Sequence, residues 1–164
     1  MIVISDTGPL RYLSVLGRAE LLPQLFGRVC CPSAVINECL HPKAPAELRA
    51  LITTQPAWLI IQEPQHVIEA LAFHLDAGEA AAISLAQDLG ADLVLMDEKK
   101  GRQQAKMHGF AVAGTLNILA LAARRGLVDY QGEVSRLRTT TNFRVTDAVV
   151  IAAYNELTGL EPVG

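Results

Sequence analysis

The sequence has few cysteines, few aromatic residues, no excess of basic charge and no long apolar run. Its three cysteines, two of them adjacent at Cys30 and Cys31, exclude a disulfide framework and lack the spacing of a zinc site. No stretch approaches the roughly 18 apolar residues of a membrane span, and the N-terminus lacks the features of a secretion signal. We therefore expect a cytoplasmic protein with reduced thiols and no membrane partner.

The formal net charge of −3 and the aromatic content of 5% are unfavourable for nucleic-acid binding over a broad surface. Any contact with nucleic acid must come from a local basic patch or through bound cations. Apolar residues are abundant, because 51% of the chain is hydrophobic and only 19% is charged. This composition excludes a disordered chain, and the length predicts a single domain over residues 1–164.

Short β-branched runs alternate with longer helical patterns, which predicts an α/β sandwich with a mainly parallel sheet. Strands are predicted at residues 2–5, 29–31, 93–96 and 110–112, and an apolar run at 58–61 could be an edge strand. Helices are predicted at 9–16, 19–26, 32–40, 46–52, 65–75, 78–89, 99–108, 115–125, 130–137 and 146–157. The segment 138–142 is predicted to be an exposed polar linker.

Four acidic residues stand where such a sheet would present a site. Asp6 and Asp97 each follow a predicted strand, and the carboxyl ends of parallel strands meet at one edge. Glu38 and Glu79 lie in apolar helices that can face that edge. Clustered carboxylates raise one another's pKa values, and a hard divalent cation removes that repulsion. An oxygen-only ligand set suits Mg²⁺ or Mn²⁺ and implies metal-assisted phosphodiester hydrolysis.

Each acid also has a purely structural interpretation. Asp6 and Asp97 could cap the helices that follow them, and the helix dipole favours Glu79 in a first turn. Glu38 could lie on a solvated face beside Asn37. The order and spacing of all four acids, more than any one of them, indicate a site.

Several cations and two further acids lie near this set. Lys99 and Arg102 could contact an RNA backbone, and Arg102 could equally pair with a site carboxylate. Asp76 and Glu98 either reach the site or serve as helix caps and surface charges. The C-terminal third has arginines that form either an RNA-facing strip or solvated helix ends: Arg124, Arg125, Arg136, Arg138 and Arg144.

Four short motifs follow one another along the chain. They are IVISDT at 2–7, VINE at 35–38, AGEA at 77–80 and LVLMDE at 93–98, followed by Arg102 and the pair Gly114-Thr115. Over about residues 1–128, this pattern resembles the PIN-domain family, in particular a bacterial subgroup similar to VapC-type toxins. The resemblance implies a three-layer α/β/α sandwich. It also implies an Mg²⁺ or Mn²⁺ site with these residues: Asp6, Glu38, Glu79 and Asp97 as the acids, and Thr7 and Thr115 in support.

The resemblance further implies an endoribonuclease that leaves 5′-phosphate and 3′-hydroxyl ends, often as the toxin of a toxin–antitoxin pair. RNA and an antitoxin are then the expected partners, and the apolar helices suggest a homodimer. Many PIN domains have an aspartate where this chain has Glu79, which bears on a second metal position.

Two other functions stay open. A catalytically weak PIN-like nucleic-acid-binding or regulatory protein agrees better with the net charge. A phosphoacceptor domain is disfavoured, because no acidic pair follows the first strand and position 8 is glycine.

Overall fold

The structure is a computed structural model that describes residues 1–156. Its five strands are β1 Val3–Ser5, β2 Val29–Cys31, β3 Leu59–Ile61, β4 Leu93–Leu95 and β5 Val112–Ala113. They form one sheet in the order β3-β2-β1-β4-β5, and every neighbouring pair is parallel. The predicted parallel sheet is confirmed, and the run at 58–61 contributes its edge strand β3.

Helices cover both faces of this sheet, which is why its central strands are continuous apolar runs. Within residues 1–156 the α-helices are α1 Thr7–Val15, α2 Leu21–Phe26, α3 Ser33–Cys39, α4 Ala46–Thr53, α5 Ala77–Leu89, α6 Lys99–Met107, α7 Thr115–Arg124, α8 Tyr130–Thr140 and α9 Asp147–Asn155. None of these helices is long and apolar enough to cross a membrane.

Successive strand residues point to opposite faces of the sheet and so enter two different cores. Leu93 and Leu95 of β4 belong to a core with α1, α2, α7 and α8. Val94 and Met96 belong to a second core with α5 and α6. The protein is therefore a three-layer α/β/α sandwich, as predicted.

The predicted helix at 65–75 is wrong apart from a short 3₁₀ turn at Glu69–Phe73. Side chains of α5 bind backbone N–H groups at the start of this segment. Asp88 accepts from the N–H groups of Gln65 and His66, and the Ser84 hydroxyl accepts from the N–H of Ile68. These hydrogen bonds hold the start of the segment along α5.

The predicted linker at 138–142 is also partly wrong, because α8 continues to Thr140. Hydroxyls of Thr139 and Thr140 donate to carbonyl oxygens one turn earlier, at Ser135 and Arg136. These threonines therefore satisfy their own polar groups within the helix. The predicted end of the last helix, at Leu157, lies outside the described residues.

Candidate metal centre

Asp6 follows β1 at the centre of the sheet and is only 5% exposed. Its backbone N–H donates to Leu95 O of β4 at 2.9 Å, which fixes it at the carboxyl edge. Its side-chain Oδ1 is buried and has no hydrogen-bond partner among the described residues. Burial, followed by the charges of Asp76, Glu38 and Asp97, raises the pKa of Asp6 to about 7, although the Thr7 backbone N–H opposes this rise.

Asp97 reaches the same edge from β4, the strand beside β1. Thr115, which is fully buried, donates to both oxygens of Asp97, from its backbone N–H to Oδ1 and from its hydroxyl to Oδ2, each at 2.7 Å. Burial raises the pKa of Asp97, and these two hydrogen bonds work against the rise. A Cβ at Gly8 would stand 2.9 Å from Asp97 Oδ2, so the first turn of α1 lies directly against this carboxylate.

Glu38 comes from α3 and is half-buried. The Thr7 hydroxyl donates to its Oε2 at 2.5 Å, which ties the carboxylate to the residue after Asp6. On the other side, a Cβ at Gly78 would lie 2.6 Å from Glu38 Oε1. Glu38 is therefore held between the start of α1 and the start of α5.

Glu79 lies in the first turn of α5 and is 7% exposed. A Cβ at Gly101 of α6 would be 2.7 Å from Glu79 Oε2, so the carboxylate fills the gap between these helices. Burial first, and then contact with the Asp76 carboxyl and the charge of Asp6, raise the pKa of Glu79 to about 8. The structure thus brings all four predicted acids together at one edge of the sheet.

Asp76 was left undecided by sequence reasoning, and the structure gives it both roles considered. Its Oδ1 accepts from the backbone N–H of Glu79 at 2.8 Å, so it caps α5. Its charge also raises the pKa of Asp6. The sequence signal was its position three residues before Glu79, the spacing of a capping aspartate.

The capping interpretations of Asp6 and Asp97 do not describe these side chains well. Asp6 occupies the N-cap position of α1, but its side chain makes no capping hydrogen bond to that helix. Glu98, rather than Asp97, occupies the N-cap position of α6. Asp97 is instead held by Thr115, the first residue of α7, and not by the helix that follows it in sequence.

The donor atoms of these residues are of the type that a hard divalent cation prefers. The donors are carboxylate oxygens, and the buried Oδ1 of Asp6 lacks any partner among residues 1–156. Over the same residues, however, no group of three or more His, Cys, Asp or Glu side chains has an arrangement that could hold a metal ion. The acids share one edge of the sheet, but within residues 1–156 they do not form a coordination shell.

The predicted cations lie beside Asp97. Arg102 donates from Nη1 to Met96 O at 2.9 Å and lowers the pKa of Asp97 against the effect of burial. Lys99 is exposed on the same side of α6 and lines a groove with Asp97 and Arg102. Thr7 and Thr115 hold Glu38 and Asp97, as described above.

Most C-terminal arginines have structural partners instead of forming a common strip. Arg136 pairs with Glu133 at 2.9 Å, and Arg138 pairs with Asp147 at 2.9 Å. Arg124 donates to a backbone carbonyl of α9. Arg144 differs from these, because it is exposed and lines the groove beside Asp97.

A parallel α/β/α sandwich with acids gathered at its carboxyl edge is the arrangement expected of a PIN-like nuclease domain. A family model described as PIN domain matches residues 2–158, and the chain belongs to that family. The match extends beyond the predicted 1–128 and includes α8 and α9. No match was found among curated proteins.

PIN domains are generally nucleases that act on nucleic acid and use divalent metal ions. Membership thus makes a hydrolase the general expectation for this fold.

Proposed function

We propose that this protein is an Mg²⁺- or Mn²⁺-dependent endoribonuclease whose acidic site consists of Asp6, Glu38, Glu79 and Asp97. The observation that carries the proposal is the buried Oδ1 of Asp6, which has no hydrogen-bond partner within residues 1–156 and lies at the same edge of the sheet as the other three acids. A buried polar atom without a partner costs free energy, and several carboxylates in one place increase that cost. A bound cation would offset this cost, because it would interact with the unpaired oxygen and reduce the repulsion between the carboxylates.

Asp6 and Asp97, on adjacent strands, would be the central ligands, and Glu38 and Glu79 would complete the set. When bound, the cation would neutralise charge on the phosphate and lower the pKa of a water molecule. The remaining contributions come from the chain itself. Thr7 and Thr115 are positioning residues, because their hydroxyls hold Glu38 and Asp97.

Arg102 and Lys99 have a separate task in this proposal, which is to bind the substrate. Arg102 lies against Asp97, where its guanidinium can contact a phosphate oxygen next to the cleaved bond. Lys99 is exposed one turn nearer the start of α6 and can contact a neighbouring phosphate.

The test is RNA cleavage by the purified protein with Mg²⁺ or Mn²⁺, compared with Asp6→Asn. The matched control is Asp92→Asn, because Asp92 is exposed and precedes β4, at the opposite edge of the sheet. We expect cleavage by the wild type and by Asp92→Asn, its loss on chelation, and its loss in Asp6→Asn. Equal cleavage by wild type and Asp6→Asn would refute the assignment.

The second candidate is a catalytically weak PIN-like protein that binds nucleic acid or regulates another process. The net charge of −3 favours it, and so does the finding that no three His, Cys, Asp or Glu side chains of the described residues are arranged to hold a metal ion. Calorimetric titration with Mn²⁺ discriminates between the two, because the nuclease requires a bound ion and a binding scaffold does not.

The role as toxin of a toxin–antitoxin pair, the homodimer and the cytoplasmic location are further proposals, supported by the resemblance to VapC-type proteins and by composition. Growth arrest on expression, relieved by Asp6→Asn, would be the toxin's signature. Light scattering during gel filtration measures the oligomeric state.

A further inference from the structure

A pocket of about 240 Å³ opens beside Glu38, between the start of α1, the end of α3 and the loop that follows α3. Three nitrogen-bearing side chains line it: Arg11, His41 and Lys43. Arg11 and Lys43 make no ion pair within residues 1–156, and Glu38 is the only acid among the described residues that line the pocket. The pocket therefore offers positive charge and hydrogen-bond donors to an anion beside the acidic site.

The loop after α3 fixes the protonation of the His41 ring. Its Nδ1 lies 3.0 Å from the backbone nitrogen of Lys43. A backbone N–H can only donate, so Nδ1 accepts this hydrogen bond and has no proton. The ring is therefore neutral, with its proton on Nε2. Nε2 has no hydrogen-bond partner in the described part of the chain, so its N–H is available to a ligand.

A neutral donor suits a position beside Glu38. A charged imidazolium would be attracted to the Glu38 carboxylate and would compete with a metal ion for it, whereas a neutral ring has no charge to pair. The N–H of a neutral imidazole can nevertheless stabilise an oxygen that gains negative charge during a reaction. Arg11 and Lys43 thus provide positive charge in this pocket, and His41 provides a hydrogen-bond donor.

We infer that His41 is a further catalytic residue, which donates a hydrogen bond from Nε2 to an oxygen of the substrate phosphate on the Glu38 side of the acidic site. The inference rests on the proposed function for the reaction itself. The contact between His41 and RNA does not depend on cleavage, so it can be measured separately.

Two variants separate this role from a structural one. The amide nitrogen of glutamine can occupy the position of the histidine Nε2, whereas the shorter asparagine has its polar atoms near the position of Nδ1. His41→Gln therefore keeps a donor for the phosphate, and His41→Asn keeps only an acceptor for the Lys43 N–H. The matched control is His108→Ala, because His108 is an exposed histidine at the far end of α6. Circular dichroism verifies the fold of each variant.

The first measurement is kcat/KM for RNA cleavage in Mg²⁺ or Mn²⁺. We expect His41→Asn to lower kcat/KM by about 10- to 100-fold, the loss of one hydrogen bond to a charged group. His41→Gln should restore most of this loss, and His108→Ala should cleave as the wild type does. The inference is overturned if His41→Asn matches the wild type, or if His41→Gln is as slow as His41→Asn.

The second measurement is NMR of the histidine rings in Asp6→Asn, which by the proposed function does not cleave. A 12-nucleotide RNA is added in Mg²⁺ at pH 8, and the His41 signals are assigned by their absence when His41→Gln is added to this variant. We expect the free ring to be protonated on Nε2, and its signals to shift with RNA while those of His108 do not. A free ring protonated on Nδ1, or His41 signals that RNA leaves unchanged, would overturn the inference.

Together the two measurements separate this inference from the proposed function. A wild type that does not cleave, with His41 signals that respond to RNA, would reject the nuclease and keep the hydrogen bond from His41. Cleavage that is equal in the wild type and His41→Asn would keep the nuclease and reject the role of His41.

Discussion

Replacing Asp6 with asparagine should stabilise the metal-free protein at neutral and alkaline pH. Burial is the main reason that the pKa of Asp6 rises from 3.8 to about 7. The unfolded chain therefore releases this proton at a lower pH than the folded protein does. Consequently, the free energy of unfolding falls as the pH rises from about 4 to about 7, and stays reduced above that range.

The size of the effect follows from the shift. One pKa unit corresponds to about 1.4 kcal/mol, so a shift from 3.8 to about 7 sets a ceiling of about 4 kcal/mol above pH 7. Relaxation around the ionised group lowers this ceiling, and we expect Asp6→Asn to be more stable than the wild type by about 2–4 kcal/mol at pH 8. At pH 4 both side chains are neutral, and the difference should nearly vanish.

Urea unfolding in EDTA at pH 4, 6 and 8, followed by circular dichroism, measures this difference. Asp92→Asn is the control, because Asp92 is exposed at the opposite edge of the sheet and asparagine keeps an oxygen that can accept from the N–H of Ile2. Adding Mg²⁺ at pH 8 should then raise the Tm of the wild type more than that of Asp6→Asn. A stability difference that is constant with pH, or that favours the wild type at pH 8, would refute the reasoning.

Three further predictions concern the residues that hold the acids. Gly78→Ala should lower the cleavage rate about 100-fold, because the added Cβ would displace the Glu38 carboxylate by roughly 1 Å. The Tm should stay the same or rise, since alanine favours a helix. A Tm that falls together with the cleavage rate would contradict this prediction. Thr115→Ala should lower the cleavage rate about 10- to 100-fold, because the hydrogen bond from the hydroxyl to Asp97 is lost. Thr115→Ser keeps a hydroxyl and should restore the rate. If Thr115→Ser is as slow as Thr115→Ala in single-turnover assays, the hydrogen bond does not have this role. Asp76→Ala should lower the free energy of unfolding by about 1 kcal/mol, because the helix cap is lost. Asp76→Asn should keep the cap and the stability but lose cleavage if the negative charge of Asp76 serves the site. Urea unfolding and cleavage assays of the two variants measure these effects.

Local sequence was sufficient to predict the central part of the fold. Asp6 and Asp97 could be placed because each directly follows a short apolar strand, and strand ends in a parallel sheet share an edge. Glu38 and Glu79 needed more information. Their convergence depends on Gly78, which lets α5 approach α3 closely, and no local pattern encodes that approach.

The failures have the same origin in long-range contacts. The apolar spacing at 65–75 resembles a helix, but this segment is held by contacts with Asp88 and Ser84 of α5, which lie 23 and 16 residues after their partners. Arg144 could not be separated from the neighbouring arginines by sequence. The position of α9 against α7, where Asn117 donates to Ala153 O at 3.3 Å, brings Arg144 beside Asp97.

The negative net charge was the strongest argument against a nuclease. The structure explains why net charge alone does not predict affinity for nucleic acid in this protein. Arg18 and Arg136 both pair with the buried Glu133, so these three residues act on a distant ligand as one positive charge. The carboxylates of the candidate site are concentrated at one edge, where a bound divalent cation would offset part of their charge. Beside that edge, a phosphate backbone would then contact the exposed cations of α6 and Arg144. Affinity for a polyanion depends on such local potential, so an acidic chain can still present a basic path to its acidic site.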